Sequence, residues 1–230
     1  MTLTLAFVQA RMASTRLPGK ALLRIQGKSI LERVIGRLRV ARLLNCVVVL
    51  TTNRDDDDVI AQEARRLGVE VYRGPALDVL ARFRQAADVF RPDVILRATA
   101  DNPLIDIGSV DRILQRLEAG NLDYCVERNL PIGAATEAIT RVALEEVDRR
   151  GRLPHHREHV TIYVKEHLED FRTAFPDPPE ALRAPHLRVT VDTPADLSFV
   201  EGLICSVPEH GTPIPLEDYL NRLPAEPPGS

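Results

Sequence analysis

Short apolar runs alternate with amphipathic helical patterns through the first two-thirds of the chain, and this alternation constrains the fold more than any other feature. Runs at 3–9, 46–51, 70–72, 94–98 and 124–126 read as strands. Between them lie helices with recognisable ends. Ser29 with Glu32 three residues on predicts a capping box, ahead of Ile30, Leu31, Val34, Ile35 and Leu38 at helical spacing. Residues 57–67 place Val59, Ile60, Ala64 and Leu67 on one face, with Gly68 as a stop. Asp78 caps a helix carrying Val79, Leu80, Phe83, Ala87 and Phe90. Strands that alternate with helices predict an α/β fold, a mostly parallel sheet flanked by helices.

After Val126 the rhythm changes. Pro131-Ile132-Gly133 marks a turn, residues 137–139 a short strand, and Thr140 caps a following helix. A helix is expected over 155–169 and a strand over 187–191, ending at Asp192-Thr193-Pro194. Residues 176–185 and the tail from Pro224 are proline-rich and expected to be irregular. With no clear boundary, the expectation is one domain over 1–222, with an inserted arm or acceptor region near 128–175, and a tail at 223–230.

Composition removes several function classes. A formal net charge of −3 argues against a nucleic-acid binder, which carries a basic excess. No run reaches the length of a membrane span, and the start lacks the pattern of a signal peptide, so a cytoplasmic protein is expected. Cys46, Cys125 and Cys205 are far apart, and are read as buried thiols.

The chemistry concentrates in the loop after the first strand. Arg11, Arg16 and Lys20 stand with Ser14, Thr15 and a Pro18-Gly19 turn within ten residues. A loop leaving the carboxyl end of a strand in an α/β protein sits where ligands bind, and its cations and backbone N–H groups suit a polyphosphate. Asp101 and Asp192 each close an apolar run. If both runs join one parallel sheet, both carboxylates emerge at its ligand edge, and Mg²⁺ takes such oxygens together with phosphates. Each also has a plain structural reading: Asp192 as a helix start, Asp101 as a turn former. A P-loop is rejected because Leu22 stands where Gly27-Lys28-Ser29 would need its first glycine, and no Gly-x-Gly-x-x-Gly occurs. His155-His-Arg-Glu-His159 fits a zinc-peptidase spacing that would put His155 and His159 on one helical face, without a clear third ligand. Asp55–Asp58 lacks the glycine and glutamate of a calcium loop and is read as helix capping.

The run Gln9-Ala-Arg-Met-Ala-Ser-Thr-Arg-Leu-Pro-Gly-Lys20 resembles the opening signature of the cytidylyltransferase family, in particular the branch known from spore-coat polysaccharide proteins. Thr99-Ala-Asp-Asn-Pro-Leu-Ile105 and Val191-Asp-Thr-Pro-Ala-Asp-Leu197 are similar to its metal-binding and late segments. Arg73-Gly74 with Asp78-Val-Leu-Ala-Arg82 resembles a nucleotide-pocket block, and Arg157-Glu-His-Val-Thr161 a block near the acceptor. The resemblance implies a Rossmann-like nucleotide-diphospho-sugar transferase (GT-A-like) fold. It implies an enzyme that joins CTP to a sugar or sugar acid with Mg²⁺, releasing pyrophosphate, and acts as a homodimer. Ala10, Arg11, Ser14, Thr15, Arg16, Lys20, Arg73 and Arg82 would bind nucleotide. Arg11, Lys20 and Asp101 would be catalytic, and Asp101 and Asp192 would hold the metal. Glu137, Arg157 and His159 would face the acceptor. The chain departs from the pattern at Ala100 and Asn102, and at Ala135, where this branch often carries an aspartate. A glycosyltransferase on a related fold is the rival reading, though Asp101-Asn-Pro103 lacks its Asp-x-Asp; a nucleotide-binding protein without turnover is another.

Overall fold

A computed structural model describes residues 2–208 and 211–223; the expected tail from Pro224 lies outside them. Along the chain, β1 (Thr4–Gln9) is followed by the short hairpin β2 (Arg24–Ile25) and β3 (Lys28–Ser29), then α1 (Ile30–Arg39) and β4 (Cys46–Thr52). Next come α2 (Asp58–Arg66), β5 (Glu70–Gly74), α3 (Val79–Phe90), β6 (Val94–Thr99), α4 (Ile107–Ala119) and β7 (Tyr124–Val126). The last third holds β8 (Glu137–Thr140), α5 (Arg141–Arg150), α6 (Pro154–Glu158), α7 (Ile162–Glu166), β9 (Thr173–Ala174), α8 (Pro194–Cys205) and α9 (Leu216–Leu220).

Seven strands form one sheet in the order β5-β4-β1-β6-β8-β7-β9. The pairs β5-β4, β4-β1, β1-β6 and β7-β9 are parallel, and β8 runs antiparallel to both neighbours. The fold is therefore the mostly parallel, helix-flanked α/β sheet that the alternation predicts. The strands read as continuous apolar runs because both faces are covered. On β1, Ala6 and Val8 join the core under α1, α2 and α4, while Leu5 and Phe7 join the core under α3, α5 and α7. A third cluster joins Val189, Val191, α8 and α9 to Ile25 and Leu104. No helix among the described residues is long and apolar enough to cross a membrane.

Local chemistry explains several helix ends. The Ser29 hydroxyl accepts the Glu32 N–H at 3.0 Å, but the Glu32 carboxylate goes to Arg66 at 2.8 Å, so half of the expected capping box forms. Asp78 caps α3 and Thr140 caps α5. Gly68 takes φ +67°, ending the turn after α2. Val59 is 42% exposed, and Ala61 occupies the buried face of α2 instead.

Three expectations are corrected. The helix expected over 155–169 breaks after Glu158 and resumes at Ile162. Val160 drops into the core and the Thr161 hydroxyl donates to Glu137 at 2.9 Å, contacts that one straight helix would not satisfy. Residues 187–191 do not enter the sheet. The place beside β6 is taken by β8, so they pair with the 131–134 turn: Ile132 N–H donates to Leu187 O at 2.8 Å, and Val189 N–H to Ile132 O at 2.8 Å. Of the three thiols, Cys125 is buried, but Cys46 and Cys205 are exposed, at the first residue of β4 and the last of α8.

Candidate active site

The loop from Ala10 to Lys20 is folded back on one peptide. Ala10 N–H continues the ladder to Leu50 O at 3.0 Å, and Met12 O accepts from Ser14 N–H at 2.9 Å and Gly19 N–H at 3.0 Å. Gly19 makes that closure with φ +68°, a conformation a side chain disfavours. The loop thus leaves Arg11, Ser14, Thr15, Arg16 and Lys20 lining a cleft of about 340 Å³. That volume lies within the range of small-molecule sites, about 300–1,000 Å³.

The two carboxylates arrive opposite the loop by different routes. Asp101 follows β6, its Oδ1 accepting the Thr99 hydroxyl at 2.6 Å. Asp192 is delivered by a backbone stitch: Val191 N–H donates to Asp101 O at 2.8 Å. The cap of α8 is Thr193, not Asp192. Its hydroxyl accepts Asp196 N–H at 3.1 Å, and the Asp196 carboxylate accepts the Thr193 and Asp192 N–H groups at 2.9 and 3.0 Å. The side chain of Asp192 is thereby left to the cleft.

Lys20 joins the carboxylates. Its ammonium lies 2.5 Å from Asp101 Oδ2 and 2.7 Å from Asp192 Oδ1. Arg16 reaches Asp192 Oδ1 at 3.1 Å, and Arg188 holds the other Asp192 oxygen together with Asp196. Burial raises the Asp192 pKa, but Lys20, Arg16 and Arg188 outweigh it and hold the group below the usual carboxylate range. Two carboxylate oxygens within hydrogen-bond reach of one cation are a donor set that suits a hard divalent ion. Arg11 has no hydrogen bond or ion pair among the described residues and stands exposed in the cleft. Arg82 is buried beside it, donating to Pro75 O and Ala76 O; burial and then the Arg11 charge lower its pKa.

The cleft brings together most of the residues singled out from the sequence: Ala10, Arg11, Ser14, Thr15, Arg16, Lys20, Arg82, Asp101, His159 and Asp192. Three lie elsewhere. Arg73 binds Thr52 O, Arg54 O and Asp58, away from the cleft. Arg157 ties α6 to Asp78 at 2.8 Å and Asp148 at 2.7 Å. Glu137 is buried with Arg97 and Lys165 at 2.5 Å each, Tyr124 at 2.7 Å and Thr161 at 2.9 Å. Burial pushes its pKa up, and Arg97 and Lys165 more than reverse this. Gln9, Thr99 and Glu158 also line the cleft and were missed. Gln9 and Thr99 are the last residues of paired strands, a position that strand boundaries alone would have flagged.

The zinc-peptidase spacing dissolves with the helix break. His155 and His156 instead meet Glu166, at 3.1 and 2.8 Å. One ligand atom from each of His155, His156 and Glu166 lies within 4.8 Å of the others. Leu153 N–H points at His156 Nδ1 at 3.3 Å, which leaves the proton of a neutral ring on Nε2, facing Glu166. The cluster is a hydrogen-bonded carboxylate with two imidazoles.

Comparison with known proteins accords with this geometry. The cytidylyltransferase family model matches residues 5–221. The spore coat polysaccharide biosynthesis protein SpsF of Bacillus subtilis is 33% identical over 204 residues, covering 86% of this chain and 85% of that protein. A cytidylyltransferase structure from Leptospira borgpetersenii superposes with a TM-score of 0.90 at 33% identity, covering 96% of this chain and 93% of that one. The structure of CMP:2-keto-3-deoxy-manno-octonic acid synthetase complexed with CTP shares the fold, with a TM-score of 0.69 at 17% identity over 89% of this chain and 99% of that one. With a sheet, a cation loop and paired carboxylates arranged in this way, and a family match over nearly its whole length, the chain belongs to the cytidylyltransferase family of nucleotidyltransferases.

Proposed function

We propose that this protein transfers CMP from CTP to a hydroxyl of a sugar or sugar acid, with Mg²⁺ and release of pyrophosphate, in the synthesis of a surface polysaccharide. The observation that carries the reading is the convergence of Arg11, Arg16 and Lys20 on the edge that presents Asp101 and Asp192. A polyphosphate needs dense positive charge and N–H donors, which the 10–20 loop supplies. The CTP held by the structural relative and the polysaccharide role in the name of the Bacillus protein point the same way.

The hydroxyl oxygen attacks the α-phosphorus in line; a new P–O bond forms as the O–H proton passes to solvent, the bond to the β-phosphate bridge breaks, and pyrophosphate leaves. Little covalent chemistry falls to the protein, so positioning and charge carry the catalysis. Arg11 and Lys20 hold the phosphates, Arg16 assists from the rim, and Ser14, Thr15 and the Ala10 backbone line their path. Arg82, fixed by the carbonyls of Pro75 and Ala76, closes the nucleotide side. Asp101 and Asp192 would hold Mg²⁺, which neutralises phosphate charge when bound. His159 reaches the cleft from the acceptor region of 128–175; Arg157 and Glu137 act behind it, fixing α6 to Asp78 and the 159–161 turn to β8. The test is pyrophosphate release from CTP with Mg²⁺ across a panel of sugars and sugar acids. Turnover abolished by Asp101→Ala supports the reading, and turnover unchanged by it removes Asp101 from the mechanism.

A further inference from the structure

Four consecutive aspartates link β4 to α2, and they do not share one role. Asp55 is exposed, Asp56 pairs with Arg54 at the surface, and Asp58 pairs with Arg73. Asp57 is 2% exposed and, although it precedes the first residue of α2, its side chain caps nothing there. Its Oδ1 accepts Met12 N–H at 2.6 Å, and its Oδ2 accepts the hydroxyl of the buried Thr52. Thr52 Oγ1 in turn accepts Arg54 N–H at 3.2 Å. The carboxylate therefore spans from the end of β4 to the loop after β1.

The peptide it holds is the one that directs the cation loop. Met12 O is taken by Ser14 and Gly19, so with Asp57 on its N–H the residue is pinned at both ends. Arg11 immediately precedes it and has no hydrogen bond or ion pair among the described residues, so the backbone at Met12 decides where its guanidinium is presented. An ionised carboxylate is an acceptor without donor capacity, and a hydrogen bond to it is roughly twice as strong as a neutral one. Asp57 does not line the cleft.

We propose that Asp57 is a positioning residue for triphosphate binding: by holding Met12 N–H from the segment between β4 and α2, it fixes the loop that presents Arg11. This rests on the reading of the cleft as a CTP site. Asn at this position keeps an acceptor for Met12 N–H and gives Thr52 an N–H donor, whereas Ala keeps neither.

The experiment compares wild type, Asp57→Ala, Asp57→Asn, Arg11→Ala and the double variant Asp57→Ala/Arg11→Ala. It reads amide hydrogen exchange of peptides covering 9–20 in the ligand-free protein, and CTP affinity with Mg²⁺ by calorimetry. Asp57→Ala is expected to speed exchange of the loop and weaken CTP by about tenfold, the loss of one hydrogen bond to a charged group. Asp57→Asn should return affinity to within about threefold of wild type, since only the charge is lost. The double variant should bind no more than about twofold weaker than Arg11→Ala alone, because both act through one group. Loop exchange and CTP affinity both unchanged in Asp57→Ala overturn the proposal, as do independent effects of the two substitutions. Should Asp57→Ala fail to fold, Thr52→Val removes the other bond to the carboxylate, and a loop whose exchange and affinity ignore that change overturns it equally. Faster loop exchange in Asp57→Ala with no CTP binding by wild type separates the cases: the anchor stands and the CTP reading falls.

Discussion

Replacing Lys20 by Met should make the free protein a better binder of divalent metal while ruining it as a binder of nucleotide. The ammonium now sits on Asp101 Oδ2 at 2.5 Å and Asp192 Oδ1 at 2.7 Å, the oxygens a metal would take. A cation entering alone must first displace it. A hydrogen bond to a charged group contributes about 1.5–3 kcal/mol. The two bonds share one ammonium, and neither partner is fully sheltered from water, so the pair is worth about 1.5–3 kcal/mol in total rather than twice that. That corresponds to roughly 10- to 150-fold in affinity. Met keeps the length and packing of the stem without the charge. Titration of Mn²⁺ followed by its free-ion electron paramagnetic resonance signal should show tighter binding to Lys20→Met than to wild type by about this factor. Calorimetry should show CTP affinity falling in the same variant. Mn²⁺ affinity unchanged or weakened in a variant of normal thermal stability would refute the claim that Lys20 competes for these oxygens.

Four other outcomes follow from particular contacts. Arg11→Ala should cost about tenfold or more in CTP affinity yet leave Tm unchanged, since the side chain has no hydrogen bond or ion pair among the described residues; a lowered Tm in a melting scan would contradict this. Glu137→Gln breaks a buried ion cluster, which costs about 3–5 kcal/mol and lowers Tm by roughly 6–20 °C; a shift under about 2 °C would show that the cluster contributes little. The Glu137 carboxyl sits below its ordinary 4.5, so its contribution is present above that pH and lost as pH falls towards the folded-state value; urea midpoints of wild type and Glu137→Gln should converge on acidification from pH 5, and a constant gap would reverse the assigned direction. Gly133→Ala places a Cβ 2.6 Å from Thr190 N at φ +97°, so it should push 187–191 off the 131–134 turn, and Mn²⁺ binding should weaken as Asp192 leaves Asp101; native binding would break that link.

The parallel half of the sheet was legible because its signals are local. Apolar runs such as 46–51 state that both faces are covered, and Ser29, Asp78 and Thr140 mark helix starts by side chains that bond their own first turn. What stayed hidden was decided at long range. Residues 187–191 look like any strand, and only the presence of β8 beside β6 denies them the sheet. The break at 159–161 follows from the bond of Thr161 to Glu137, 24 residues away in the chain. In the cleft, the cation loop stood out by its charge after β1, while Asp101 and Asp192, each with a plain structural reading, were singled out by the family resemblance. Asp57 could not be distinguished from Asp55, Asp56 and Asp58, since its bond to Met12 crosses 45 residues. Glu137, expected near the acceptor by resemblance, sits within an ion cluster that no spacing rule reveals.

The most direct test is calorimetric titration of the purified protein with CTP, UTP, GTP and ATP, each with and without Mg²⁺. A preference for CTP that strengthens when Mg²⁺ is present is expected, because the phosphates and Asp101 with Asp192 bind the metal together. Binding of no triphosphate, or a preference for a nucleotide-sugar over CTP, would contradict it.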